Sequence, residues 1–347
     1  MIAPFPWFGG KRKVTGEVWV RFGDVPNYVE PFFGSGAMLL GRPGWTNDKP
    51  MPWIETVNDK DGYVSNFWRA LKSDPAALLH WVDWPVNEND LHARHLWLVA
   101  RKSELTARLE GDPDYYDAKI AGWWLWGICV WIGGGWCSGN GPWKSVNGVM
   151  TKTGDSGMGV NRKRVHLGNS GMGVNRQLVH LGDAGMGDDG DGSNGLEAWI
   201  TALAARLARV RVCSGDWRRV LGPTPTEKLG VTGIFLDPPY SAEADRDEEI
   251  YTVDDLSVAN DVREWAMNNG NNPMLRIALC GYQGEHDELT DAGWTAWAWK
   301  ANGGYGAQSA NGRGRANSAR EVVWFSPHCI DVSAPAPQNA LPLEYLP

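Results

Sequence analysis

Short apolar runs that stop at an acidic residue recur along this chain. Gly233-Ile234-Phe235-Leu236 stops at Asp237, Tyr28-Val29 at Glu30, and Val57-Asn58 at Asp59, while Val210-Arg211-Val212-Cys213-Ser214-Gly215 runs into Asp216. Each reads as a buried strand with a carboxylate at its carboxyl end, the end at which open α/β sheets bind ligands. Arg276–Tyr282 predicts another buried strand, and Trp294–Lys300 with Glu321–Phe325 predicts a terminal hairpin. Helical spacing predicts one helix over Leu91–Leu109, with Leu91, His95, Leu98, Leu105 and Leu109 on one face. A more buried helix is expected over Tyr115–Trp131 and an amphipathic one over Leu196–Val210, with Met38-Leu39-Leu40 opening a further helix.

The Asp237-Pro238-Pro239-Tyr240 segment carries the most specific chemistry. Each proline locks φ and lacks an N–H, so the turn after the strand is stiff and its carbonyls stay free to accept. A carboxylate, a free carbonyl at Pro238 and the aromatic plate of Tyr240 suit the exocyclic amine of a flat base. The ring stacks on Tyr240 while the amine hydrogens point at Asp237 and the Pro238 carbonyl. Nearer the amino terminus, Glu30-Pro31-Phe32-Phe33-Gly34-Ser35-Gly36 is a strand end running into a glycine turn, which lets a backbone approach a cofactor closely. Upstream, Trp7-Phe8-Gly9-Gly10-Lys11 places an aromatic ring and a lysine near it, and Asp59 follows about 20 residues after the glycines, at ribose-binding spacing.

The order of these blocks resembles the Dam-type, alpha-group DNA adenine-N6 methyltransferases. The tryptophan-glycine-glycine-lysine segment, the Phe-x-Gly-x-Gly turn, the Asn-Asp strand, the Gly-Asp strand and Asp-Pro-Pro-Tyr occur at residues 7–11, 32–36, 57–59, 215–216 and 237–240. The resemblance covers roughly residues 5–70 and 205–330. It implies an α/β, Rossmann-like methyltransferase fold with a mixed, mostly parallel sheet and an inserted target-recognition region. The expected division is a catalytic domain of residues 1–75 and 196–330, an inserted helical and glycine-rich repeat region over 76–195, and a disordered tail over 331–347. The resemblance further implies that Trp7, Gly10, Lys11, Glu30, Phe32, Gly34, Gly36, Asp59 and Asp216 form an S-adenosylmethionine site. Within it, Trp7 and Lys11 would close the pocket, Asp59 would meet the ribose and Asp216 the adenine. Asp237, Pro238, Pro239 and Tyr240 would hold a base flipped from double-stranded DNA, with the enzyme acting as a monomer.

Net charge tests that expectation, because −8 opposes binding to phosphates. Its distribution removes the objection. Ala118–Gly182 contains seven cations (Lys119, Lys144, Lys152, Arg162, Lys163, Arg164, Arg176) and one acid, a net +6 that leaves −14 elsewhere. Ala292–Arg320 lacks acids and carries Arg313 and Arg315. Two basic segments on an acidic body fit a nucleic-acid cleft. Within the first lie Trp136, in a glycine-rich turn set expected to face substrate, and a 14-residue repeat in which Ser156–Arg162 recurs as Ser170–Arg176. Each full copy offers an Asn-Arg pair and a histidine, groups suited to phosphates and base edges, and Asp188–Asn194 reads as a linker back to the catalytic domain.

Five cysteines without metal or disulfide spacing make a reducing cytoplasm the default, and no histidine set has metal-site spacing. The longest apolar stretch, Trp123–Ile132, is about half a membrane span. Methyl transfer from a sulfonium requires no metal, only in-line placement and hydrogen bonds that draw the amine lone pair out of conjugation. The same amine chemistry leaves N4-cytosine methylation open, as does a catalytically silent DNA-binding protein on the same fold.

Overall fold

The computed structural model describes residues 1, 3–5, 7, 11–46, 52–131, 136–137, 143–146, 149–152, 192–239, 258–299 and 321–332. Seven strands form one sheet: β1 (Asn27–Glu30), β2 (Ile54–Asp59), β3 (Val210–Ser214), β4 (Thr232–Leu236), β5 (Leu275–Tyr282), β6 (Thr295–Ala298) and β7 (Glu321–Phe325). Their spatial order is β3-β2-β1-β4-β5-β7-β6. The first five run parallel, and β7 lies antiparallel between β5 and β6. The chain is therefore α/β with a mixed, mostly parallel sheet, compatible with a Rossmann-like fold. Strand order reverses between β1 and β4, and at such a switch point the loops diverge and leave a crevice beyond the strand ends.

Period-two alternation explains the layering. Phe235, Ala278, Cys280, Val323 and Phe325 belong to one buried core, whereas their chain neighbours Ile234, Leu236, Ile277, Leu279, Val322 and Trp324 belong to another. Successive side chains of β4, β5 and β7 thus feed opposite faces of the sheet. Full burial on both faces accounts for the nearly continuous apolar character of these strands.

The first core extends into the inserted helices. These are α4 (Pro75–Val82), α5 (Glu88–Val99), α6 (Lys102–Gly111) and α7 (Ala118–Val130), which follow α1 (Thr15–Phe22), α2 (Ala37–Leu40) and α3 (Gly62–Ser73). Leu78, Leu98, Leu109 and Trp124 share one cluster with Phe22, Tyr28 and Phe235. Three α3 residues spaced by three tie the insertion down. Tyr63 donates to the Leu98 carbonyl at 2.7 Å, Asn66 exchanges hydrogen bonds with the Asp117 backbone, and Arg69 donates to the carbonyls of Leu109, Asp112 and Tyr115. They lie along one helix face because residues three apart are neighbours there.

The single helix expected over Leu91–Leu109 is two. The Arg101 amide turns back to Leu98, its guanidinium takes the Trp97 carbonyl, and α6 starts anew at Lys102. Both segments bury the expected leucines, so the apolar spacing survives a break that it does not reveal. α8 (Gly192–Leu207) begins inside the segment read as a linker, and β3 follows at Val210. An antiparallel ribbon, Trp143–Val146 with Val149–Lys152, was not anticipated. The 14-residue repeat and residues 333–347 lie outside the described residues. α9 (Val258–Asn269) and α10 (Glu288–Asp291) flank β5 in sequence.

Candidate active site

A cleft of about 1100 Å³, including its open mouth, lies at the carboxyl ends of the parallel strands. Nine residues expected from the sequence line it: Trp7, Lys11, Glu30, Phe32, Gly34, Asp59, Asp216, Asp237 and Pro239. They come from segments separated by up to about 230 positions, brought together because β1 sits between β2 and β4.

The turn after β1 is built by hydrogen bonds from β2. The Phe33 amide donates to the Asn58 carbonyl at 2.9 Å, and the Gly34 amide to Asp59 Oδ2 at 2.8 Å. Gly34 has φ +47°, and a Cβ there would stand 2.5 Å from Trp7 Nε1, so the absence of a side chain lets the indole close on the turn. Gly36, at φ +71°, serves a different purpose from the close cofactor approach expected of it. A Cβ would collide with Phe33 and Trp68, and Gly36 is not among the residues lining the cleft. Asn58, which the sequence reading left as a strand residue, joins three strand ends through Nδ2 to the carbonyls of Pro31 (3.1 Å) and Gly215 (3.0 Å).

The floor of the cleft is acidic. Glu30 is buried at the end of β1 and accepts from the Tyr28 hydroxyl at 2.8 Å. Burial pushes its carboxyl well above the usual range, against the Tyr28 bond and with Asp237 and Asp59 adding repulsion. Asp59 is pushed up to about 7, chiefly by burial and then by Asp61, although the Gly34 and Asp61 amides favour its charged form. Both Asp59 oxygens therefore have protein donors, one of them inside the turn, beside any ribose contact.

Asp216 lies at the rim. Its Oδ1 accepts the Arg218 amide at 2.8 Å, and the Arg218 guanidinium reaches both Asp216 (3.4 Å) and Asp261 on α9 (2.6 Å) while covering the Trp217 ring. Arg218, Trp217 and Asp261 line the cleft too. The Trp217 ring stands beside Phe32, directly after the Asp216 strand end.

Asp237 extends beyond β4 with Pro238 buried behind it and Pro239 in the cleft wall. Lys11 was expected to close the cofactor pocket; it does line the cleft, but its ammonium is committed to the Asp-Pro-Pro turn. Its Nζ lies 3.1 Å from Asp237 Oδ1 and 3.2 Å from Glu321 Oε2. Tyr240 and Gly10 lie outside the described residues.

Trp136 corrects the expectation of a DNA-facing tryptophan. Its indole is 7% exposed, donates Nε1 to the Trp124 carbonyl and fills the space left by Gly127. Lys144 stands on the ribbon, whereas Arg162, Lys163, Arg164, Arg176, Arg313 and Arg315 lie outside the described residues. Among the described residues no cluster of three or more metal-ligating side chains occurs, and no helix is long and apolar enough to cross a membrane. Comparison with protein-family profiles and with curated proteins finds no match to the chain.

Proposed function

We propose that this protein is a site-specific DNA methyltransferase that transfers a methyl group from S-adenosylmethionine to the N6 amine of a flipped adenine. The observation that carries the reading is the convergence of the glycine turn, the Asn-Asp strand end, the Gly-Asp strand end and Asp-Pro-Pro on one cleft at the switch point. Nothing in the linear spacing required four separated segments to meet, and each arrives with its acidic or glycine residue at the wall.

The acidic floor supports a cationic cofactor. A sulfonium favours the ionised forms of Glu30 and Asp59, which burial alone disfavours. In this reading Asp237 and the Pro238 carbonyl accept the two amine hydrogens, so the nitrogen lone pair turns toward the methyl group. Asp237 acts as an acceptor that orients, since an ordinary carboxylate cannot deprotonate a neutral aromatic amine. The methyl–sulfur bond breaks as the nitrogen–methyl bond forms; the thioether leaves neutral, and the nitrogen, now acidic, loses its proton.

The test is incubation with labelled S-adenosylmethionine and unmethylated genomic DNA, followed by digestion to nucleosides and mass spectrometry. N6-methyldeoxyadenosine is the expected product. N4-methyldeoxycytidine would reassign the base, and DNA and cofactor binding without any methylated nucleoside would overturn the reading.

A further inference from the structure

We propose that Glu321 is a positioning residue for this reaction, acting through Lys11 to set the orientation and acceptor strength of the Asp237 carboxylate. The inference rests on the methyl-transfer reading of the cleft and adds a strand, β7, from which no site residue was expected.

Lys11 and Glu321 are both buried, at 4% and 5% exposure, and lie 310 positions apart in sequence. A lysine ammonium is a point charge with three donors on a flexible stem, so one carboxylate does not define its place. Here two do. Lys11 Nζ bridges Asp237 Oδ1 and Glu321 Oε2, with the Trp299 ring centroid 5.9 Å away. Glu321 is well suited to be the fixed partner. It opens a strand buried along its whole length and hydrogen-bonded on both sides, in register with Tyr282 on β5, and its carbonyl accepts the Trp299 amide at 3.0 Å.

The bridge holds Asp237 through Oδ1, while the side chain lines the cleft and stays 19% exposed. It also divides one positive charge between two carboxylates. With Glu321 neutral, more of the lysine charge would act on Asp237 and weaken its carboxylate as an acceptor for the substrate amine. Among the described residues, Glu30 from β1 and the buried Cys280 thiol from β5 also stand close enough to Asp237 to interact with its charge.

Glu321→Gln keeps the side-chain length and removes the charge. We expect kcat to fall by about tenfold or more, with the dissociation constant for S-adenosylmethionine and the melting temperature nearly unchanged, and Glu321→Asp to recover part of the loss. The acid limb of the kcat profile should move to lower pH. An unchanged kcat overturns the inference, as does a loss matched by weaker cofactor binding, which would put Lys11 and Glu321 in the cofactor pocket instead. A carbon-13 titration of the Asp237 carboxylate in the wild type and in Glu321→Gln reads the same coupling without turnover. A midpoint lowered in the variant supports the link through Lys11, and an unmoved midpoint refutes it. If the wild type transfers no methyl group, the function proposed above fails, while this titration still decides the coupling.

Discussion

Two buried ionic triads stand at opposite ends of the same sheet. Near the amino ends of the parallel strands, Glu55 on β2 accepts two bonds from Arg206 (2.6 and 2.8 Å) and one from Arg42 (3.0 Å). At the carboxyl ends, Lys11 bridges Asp237 and Glu321. The first triad is closed. All three side chains are 2–5% exposed, the guanidiniums reach the carbonyls of Leu39 and Val25, and Arg42 covers the rings of Trp19 and Trp53. The second is open on one side, because the Asp237 side chain keeps 19% exposure into the cleft.

Composition follows position. The closed triad uses arginines, whose planar forks bind a carboxylate at several points and do not titrate. It carries an excess positive charge and joins α8, β2 and the segment after α2 across residues 42, 55 and 206. The open triad uses a lysine and carries an excess negative charge, which under the proposed function suits an amine substrate and a sulfonium cofactor. Similar ion-pair chemistry holds the fold where it is sealed, and under the proposed function it would prepare a reaction where it is open.

Substitutions separate the two roles. Asp237→Ala should reduce methyl transfer by at least on the order of 10³-fold while leaving cofactor binding nearly intact, as single-turnover rates and cofactor titration would reveal. A fully active variant would remove Asp237 from the mechanism. Glu55→Gln should do the reverse. Two buried guanidiniums lose their counter-charge, so urea denaturation should report a loss of about 3–5 kcal/mol, with kcat of the folded fraction preserved.

The two turn glycines give a finer comparison. Alanine at either forces a side chain into the left-handed region, costing about 1–2 kcal/mol. Gly34→Ala also drives a Cβ into Trp7, whereas Gly36→Ala meets Phe33 and Trp68 behind the turn. Cofactor affinity should fall further for Gly34→Ala, and equal losses would show that the turn acts as one rigid piece.

Acidity provides a graded effect that a pH series reads. Asp59 is raised from its ordinary 3.8 to about 7, so between these values the folded state holds a proton that the unfolded state has released. Its contribution to stability therefore declines as pH rises from about 4 through 7 and is level above that. Glu30 is shifted in the same direction and adds to the trend. Stability curves of Asp59→Asn should lack the Asp59 part of this decline, and saturating cofactor should flatten the wild-type curve if a cation favours the ionised acids.

Much of this arrangement was legible in the chain. Strands formed where apolar runs met acids: β1 and β2 end at Glu30 and Asp59, and β3 and β4 stop just before Asp216 and Asp237. The helix break at Ala100-Arg101 was not legible, since a turn stabilised by backbone bonds can preserve apolar spacing on both sides. Nor was the burial of Trp136, whose fate depends on the space beside a glycine nine positions earlier.

The sequence by itself marked the strands of the main sheet and several of the helices, and it set the glycine turn and Asp-Pro-Pro apart as chemically distinct. These are local matters of periodicity, backbone freedom and missing donors. Only the tertiary structure decided which acids share a cleft, that Lys11 belongs to Asp237 and Glu321, and that Glu55 is the sealed counterpart at the far end. Ion pairing and burial depend on distances between groups up to 310 positions apart, and those distances exist only after strand order and register have been set.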